Sequence, residues 1–295
     1  MQNKHLVFVY GTLRQHEPNH HFLKDSNSIS KQSWTYGKLF DTGNGYPVLI
    51  AGGESSVYGE VYEVTDETLK RLDELEGYEG SGREKQCERV IREVQSDKGM
   101  LMANVYFSNL IENTHEEVPS GDWKCHKHLD SDEILYFAYG SCMDSERFTI
   151  AGVDRYFADI VGCGKAKNFT LAYSRAAEDG GRADMIESEG YVEGKVYQLK
   201  KEALDYLFVR EGVAGKHYRP ALIDVEIDGT FFKNVLTFLV IDKVEEVAPP
   251  IHYATEILRG AQGFVSNEYF NKLERHLLTK FNISIVDDRD EAVIS

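Results

Sequence analysis

The sequence predicts an α+β chain made of two tandem copies of one domain. Three observations predict it. An apolar run of strand type ends in Tyr-Gly-Thr/Ser twice, at Leu6–Arg14 and at Leu135–Met143. A half-buried strand pattern also occurs twice, at Val57-Tyr58-Gly59-Glu60-Val61-Tyr62-Glu63-Val64 and at Val192-Glu193-Gly194-Lys195-Val196-Tyr197-Gln198-Leu199. Each of these runs straight into a helix pattern that stops at Glu-Gly, Glu76-Gly77 in one half and Glu211-Gly212 in the other. Nearly the same length of chain separates Tyr10 from Glu76 and Tyr139 from Glu211. Such ordered recurrence is the mark of an internal repeat. The acidic stretch Leu129–Glu133 is the natural boundary and places the domains at residues 1–128 and 133–285.

A chain of 295 residues is long enough for two domains, each with its own core. The formal net charge of −16, without a block of Lys and Arg, argues against nucleic acid or an anionic membrane as partner. No apolar run is long enough to span a bilayer. Met1-Gln2-Asn3-Lys4 leads directly into a strand with no signal-peptide pattern, so the expected location is the cytoplasm. Cys87, Cys125, Cys142 and Cys163 form no CxxC pair and are expected as free thiols. The sequence does not mark an oligomeric state.

In chain order, the first corner at Tyr10-Gly11-Thr12 is followed by a polar stretch with His16, His20 and His21. No carboxylate or Cys stands at ligand spacing beside them, so loop histidines are expected rather than a metal site. Phe22-Leu23 begins a short helix. Tyr36–Asp41 and Gly45–Ile50 read as two strands joined by a Gly/Asn turn. Thr65 or Asp66 caps a helix whose Leu69, Leu72 and Leu75 form one apolar stripe, and Gly77 ends it. Residues 78–88 read as a charged loop, Val90–Val94 with Gly99–Phe107 as a hairpin, and Cys125-His126-Lys127-His128 as a solvated linker. In the second half Asp159–Gly162 and Phe169–Tyr173 read as strands, and Ser174–Glu193 as a long Gly-rich loop of the kind that often carries function. Two strands, Ala221–Ile227 and Asn234–Ile241, precede a helical tail from Pro249-Pro250 to Leu278, packed through Ile257, Leu258, Tyr269 and Leu273.

Two features carry chemistry. Gly after a buried strand permits a tight turn and close approach of a ligand, and the hydroxyl residue after it can turn backbone N–H groups toward an anion such as a carboxylate. A plain turn has the same local sequence; the repetition favours the functional reading. Glu76 and Glu211 each end a helix. There the negative end of the helix dipole disfavours ionisation and raises the carboxyl pKa, which suits a general base. The alternative is an exposed Glu at a frayed helix end.

Tyr10-Gly11-Thr12-Leu13-Arg14, Gly45-Tyr46-Pro47 and Leu72-Asp73-Glu74-Leu75-Glu76-Gly77 together resemble the AIG2-like branch of the gamma-glutamylcyclotransferase family. The second half is similar to the branch that acts on gamma-glutamyl amino acids. Its matching residues are Phe137-Ala138-Tyr139-Gly140-Ser141, Gly181, Ala183-Asp184, Glu211-Gly212, Tyr218-Arg219, Pro249-Pro250, Tyr253, Gly260-Ala261 and Tyr269. The ordered set touches nearly the whole chain. Three departures stand out: Cys87-Glu88-Arg89 where the family usually places Tyr-x-Arg, Cys142-Met143 where it places Asn-Leu, and a longer spacing from Asp205 to Glu211 than from Asp73 to Glu76.

The resemblance implies a small mixed β-barrel with flanking helices in each domain. It implies a small-molecule gamma-glutamyl substrate, cyclised to 5-oxoproline with release of an amine or amino acid, and no metal or other cofactor. It implies Glu76 and Glu211 as the catalytic acid/bases. It places Tyr10, Gly11, Thr12, Leu13, Tyr139, Gly140, Ser141, Cys142, Met143 and Tyr218 around the substrate. The alternative is a non-catalytic protein, or one with a single active domain, that binds small gamma-glutamyl or anionic ligands.

Overall fold

In the computed structural model, β1 (Lys4–Val9) is buried on both faces at Val7, Phe8 and Val9, which explains its unbroken apolar run. Residues 3–78, 87–110, 112 and 115–285 are described. β2 (Asn27–Tyr36), β3 (Lys38–Asp41), β4 (Pro47–Ile50), β5 (Ser56–Thr65), α1 (Asp66–Leu75), β6 (Cys87–Ser96), β7 (Leu101–Ser108), β8 (Glu116–Glu117) and α2 (Trp123–His128) follow. Strands β1-β5-β2-β6-β7 form a closed barrel, antiparallel except where β7 runs parallel to β1 and shuts it. A separate sheet in the order β4-β3-β8 flanks the barrel. Phe8, Val61, Val105, Phe107 and Trp123 belong to one core cluster. Val7, Val9, Tyr62, Leu69 and Leu72 belong to a second, which brings α1 onto the barrel. Leu72 is fully buried, worth roughly 2 kcal/mol in apolar transfer.

The second unit repeats this plan. It contains β9 (Glu133–Ala138), α3 (Ser145–Ile150), β10 (Ile160–Ala177), β11 (Gly180–Lys200), α4 (Lys201–Arg210), β12 (Tyr218–Ile227), β13 (Thr230–Val240), α5 (Ile251–Ala261) and α6 (Asn267–Phe281). Its closed barrel has the order β10-β11-β9-β13-β12, with β13 parallel to β9. The two units are compact in themselves, Met1–Leu129 and Asp130–Ser295.

Two expectations are corrected. Ser174–Glu193 is not a loop. β10 and β11 are single strands of 18 and 21 residues, joined by a turn at Glu178-Asp179 and bent at three register shifts. Within this Gly-rich stretch Asp184 is a buried partner: it accepts from Ser174 Oγ at 2.8 Å, from the Val240 N–H at 3.0 Å and from Lys243 Nζ at 2.7 Å. Nor is the stretch at Cys125–His128 a solvated linker. It belongs to α2, with Trp123, Lys124 and Cys125 buried. Asp122 caps that helix by accepting the Cys125 N–H, and the same carboxylate oxygen holds Arg14 at 2.8 Å. The loop expected over residues 78–88 lies mostly outside the described residues; its last positions, 87 and 88, already belong to β6.

The tail is helical at both α5 and α6, and Ile257, Leu258, Tyr269 and Leu273 are all buried in it.

Candidate active site

In the first unit the chain leaves β1 at Tyr10 and turns at Gly11. The Tyr10 hydroxyl donates to the Tyr106 carbonyl at 3.0 Å, which ties the corner to β7. A Cβ on Gly11 would lie 2.6 Å from the Pro47 ring, so only glycine lets β4 approach the corner this closely. The turn continues with Arg14 N–H donating to Gly11 O and Asn19 N–H to Thr12 O. Among the described residues, the N–H groups of Thr12 and Leu13 have no protein acceptor. The loop is anchored by buried charge. Arg14 meets Glu60 at 3.3 Å and Asp122 at 2.8 Å, and Gln15 N–H and Tyr62 Oη donate to Glu60. Burial opposes ionisation of Glu60, but Arg14 and Lys124 outweigh it and hold the carboxyl below its usual range.

Thr65 caps α1 by accepting the Thr68 N–H, and Glu76 follows as its C-terminal cap with Gly77 at φ 68°. This positive φ is the ordinary left-handed stop for a helix and suits glycine. The last turn delivers Glu76 to the wall of a cavity of about 420 Å³, lined also by Tyr10, Gly11, Thr12, Leu13 and Cys87. Burial pushes the Glu76 carboxyl up to about 7. The direction is that expected from the helix terminus, but the cause is loss of water around the carboxyl. Beside it, Asp73 accepts from Tyr106 Oη at 2.8 Å and from Arg89 at 2.9 Å, and the Arg89 guanidinium lies over the Tyr78 ring. Burial and the neighbouring Glu76 push the Cys87 thiol up to about 12, so it stays protonated at neutral pH.

The second unit builds the same corner and fills it. Tyr139 Oη donates to the Phe238 carbonyl at 2.6 Å, as Tyr10 does to Tyr106. Glu211 caps α4, and Gly212 has φ 62°. Glu211, Tyr139, Gly140, Ser141, Cys142 and Tyr218 share a space of only about 30 Å³, room for about one water. Arg210 engages two of these residues, donating to Cys142 Sγ at 3.1 Å and to Ser141 Oγ at 3.2 Å. The Cys142 thiol in turn reaches Glu211 Oε1 at 3.4 Å. Burial raises the Glu211 pKa, though Arg210 and the Cys142 contact act against the rise. Tyr218 Oη donates to the Ala183 carbonyl at 2.7 Å, and the Ala183 N–H donates to Tyr253 Oη at 3.2 Å.

Met143 is a correction. It does not line this space; it is fully buried, and a Cβ on Gly260 of α5 would lie 2.8 Å from the Met143 Cβ. Its N–H is taken by the Gly140 carbonyl. A long apolar side chain after the corner serves the helix packed above it.

Sequence reasoning missed Asp73, Tyr106 and Arg210 as members of the sites, and gave Tyr253 no role there. Tyr106 is legible only through its register with Arg89. Arg210 had a signal, since a cation next to a helix-terminal Glu is placed to meet it. The expected loop histidines hold backbone: His20 Nδ1 lies 3.1 Å from Leu13 O and His21 Nδ1 3.0 Å from Pro18 O. Among the described residues no cluster of three or more His, Cys, Asp or Glu has the arrangement of a metal site. No helix there is long and apolar enough to cross a membrane.

Comparison with known proteins agrees with the architecture. Residues 7–125 match the family described as "Gamma-glutamyl cyclotransferase, AIG2-like", and residues 191–273 match the "AIG2-like family". The chain is 45% identical over 278 residues to the Bacillus subtilis protein named "Putative gamma-glutamylcyclotransferase YkqA", covering 92% of this chain and 97% of that one. The crystal structure of that protein superposes with a TM-score of 0.85 at 43% identity, covering 94% of this chain and 98% of it. The chain is also 41% identical over 119 residues to the "Gamma-L-glutamyl-butirosin B gamma-glutamyl cyclotransferase" of Niallia circulans, covering 40% of this chain and 74% of that one. The chain therefore belongs to the gamma-glutamylcyclotransferase family, as a member with two tandem barrels.

Proposed function

We propose that the chain cyclises the gamma-glutamyl group of a gamma-glutamyl amide to 5-oxoproline and releases the amine, and that the first unit carries the turnover. The observation that supports this reading is the first cavity. A carboxyl that burial pushes up to about 7 lines it together with a glycine corner where, among the described residues, the Thr12 and Leu13 N–H groups have no protein acceptor.

The substrate's own α-amine attacks its γ-carbonyl carbon. The new C–N bond closes a five-membered lactam, and the old amide C–N bond breaks. Ring closure supplies proximity, so the protein must hold the chain folded. The amine attacks only as the free base. Glu76 takes the ammonium proton and returns one to the leaving nitrogen, a role suited to a carboxyl that titrates near neutrality. The N–H groups of Thr12 and Leu13 hold the α-carboxylate or the oxyanion that forms on the γ-carbonyl.

The same reading gives the second unit a binding or structural role, because Arg210 and Cys142 engage Ser141 and Glu211 where a substrate would lie. The test is 5-oxoproline release from a panel of gamma-glutamyl amines and amino acids. Glu76→Gln should lower release by about 10²–10⁴-fold, the usual worth of general acid–base catalysis. Glu211→Gln should leave it within a few fold. Full activity in folded Glu76→Gln would refute the assignment.

A further inference from the structure

The two barrels share a register that identifies equivalent positions. In the first, Val7 of β1 pairs with Asn104 of β7; in the second, Tyr136 of β9 pairs with Leu236 of β13. Two residues further along, the carbonyls of Tyr106 and Phe238 accept the two corner tyrosine hydroxyls. Two residues further again, Ser108 pairs with Cys87 and Val240 pairs with Tyr218. Cys87 and Tyr218 therefore occupy the same place in the two barrels, each at the first residue of its strand.

Their side chains do different things there. Tyr218 crosses the second cavity and ends on the Ala183 carbonyl. Ala183 is the residue lying against the corner glycine, with its Cβ 3.3 Å from where a Gly140 Cβ would be. Pro47 holds that place against Gly11 in the first unit. A tyrosine at position 87 would span the first cavity in the same way, from β6 toward Pro47. Cys87 stops short, and the space it borders measures about 420 Å³ against about 30 Å³.

We propose that Cys87 is a specificity-determining residue of the first site: its small side chain leaves open the space beside Glu76 that admits a leaving group with bulk next to its nitrogen. This rests on the cyclotransferase reading above. A group that takes a proton from the α-amine and returns it to the leaving nitrogen must sit beside that nitrogen, so Glu76 marks where the leaving group begins. Cys87 lies in the same wall and within electrostatic reach of Glu76. Bulk on the carbon next to the leaving nitrogen therefore projects into the space that a tyrosine would fill. The gamma-glutamyl part is common to all such substrates and is not affected by this choice.

The test compares wild type, Cys87→Ala and Cys87→Tyr, each checked for folding by circular dichroism. Two probes are used, gamma-glutamyl methylamide and gamma-glutamyl cyclohexylamide. Both 5-oxoproline release and binding by calorimetry are measured, the latter also in the Glu76→Gln background. Wild type and Cys87→Ala should handle both probes alike. Cys87→Tyr should keep the methylamide within about threefold and lose at least about tenfold on the cyclohexylamide, in KM and Kd rather than kcat, the scale set by a steric misfit in a pocket. If Cys87→Tyr does not fold, Cys87→Val should show the same selectivity in smaller degree. Equal effects on both probes, or none, overturn the proposal. Size-selective loss of binding without release by any variant supports the size role of Cys87 and overturns turnover instead. Binding of neither probe to folded wild type overturns both.

Discussion

The two barrels use one backbone plan to different ends, and the difference lies in what holds each corner. In the first unit a buried cluster of Arg14, Glu60 and Asp122 fixes the loop from behind and leaves its front open. In the second, the corner is held from α5. Asp144 pairs with Arg259, Gly260 packs on Met143, and Tyr197 Oη donates to the Cys142 carbonyl at 3.1 Å. Tyr253 of the same helix and Tyr218 then close the front. A corner anchored from behind can face a ligand; one anchored by a helix that also supplies a ring to the cavity has little room for it.

The largest effect expected from breaking this contrast is at Arg14. Arg14→Met leaves Glu60 and Asp122 without their guanidinium, and loss of one member of a buried ion cluster costs about 3–5 kcal/mol. Both tryptophans, Trp34 and Trp123, lie in the first unit, so urea unfolding followed by tryptophan fluorescence reads that unit alone. Arg259→Met removes a partner with a half-exposed side chain and should leave the fluorescence transition unchanged.

A smaller effect separates the two glycines. Gly11→Ala drives a methyl to 2.6 Å from the Pro47 ring, whereas at Gly140 the nearest atom, the Ala183 Cβ, is 3.3 Å away. Overpacking of this kind costs about 1–3 kcal/mol. Gly11→Ala should lower the fluorescence midpoint and raise KM, and Gly140→Ala should do neither. Smallest is Tyr106→Phe, which removes one hydrogen bond to Asp73, worth about 1 kcal/mol. The second unit already carries Phe238 at this place, so the change brings the first site closer to the second.

Much of this was legible in the sequence because local rules decided it. Thr65, the Leu69 and Leu72 stripe and Gly77 fix α1 and put Glu76 at its end; the same logic fixes α4 and Glu211. Register and side-chain reach were not legible. Asp184 reads as a loop residue by composition, yet it is fully buried because three donors from distant parts of the chain converge on it. Cys125 reads as part of a solvated linker, yet the helix capped at Asp122 carries it into the core together with Lys124. Met143 follows the corner in sequence but turns to α5, a contact set by residues far along the chain. The contrast between Cys87 and Tyr218 shows in the sequence only as a departure from a family pattern; that they share one place needs the barrels.

In the proposed reading Glu76 also links function to stability. Its folded pKa is raised above the unfolded value, so its contribution to stability is fully present below the ordinary carboxyl range and is lost as pH rises through about 7. Glu76→Gln should therefore unfold no earlier than wild type at pH 8. That outcome separates loss of chemistry from loss of fold.

The most direct test of the central claim is the pH profile of kcat/KM for 5-oxoproline release, measured side by side for wild type and Glu211→Gln. The account predicts two coincident curves, each rising about tenfold per pH unit below a bend near 7 as Glu76 loses its proton. A flat profile between pH 5 and 8, or a Glu211→Gln protein without activity, would contradict the assignment of turnover to Glu76 in the first barrel.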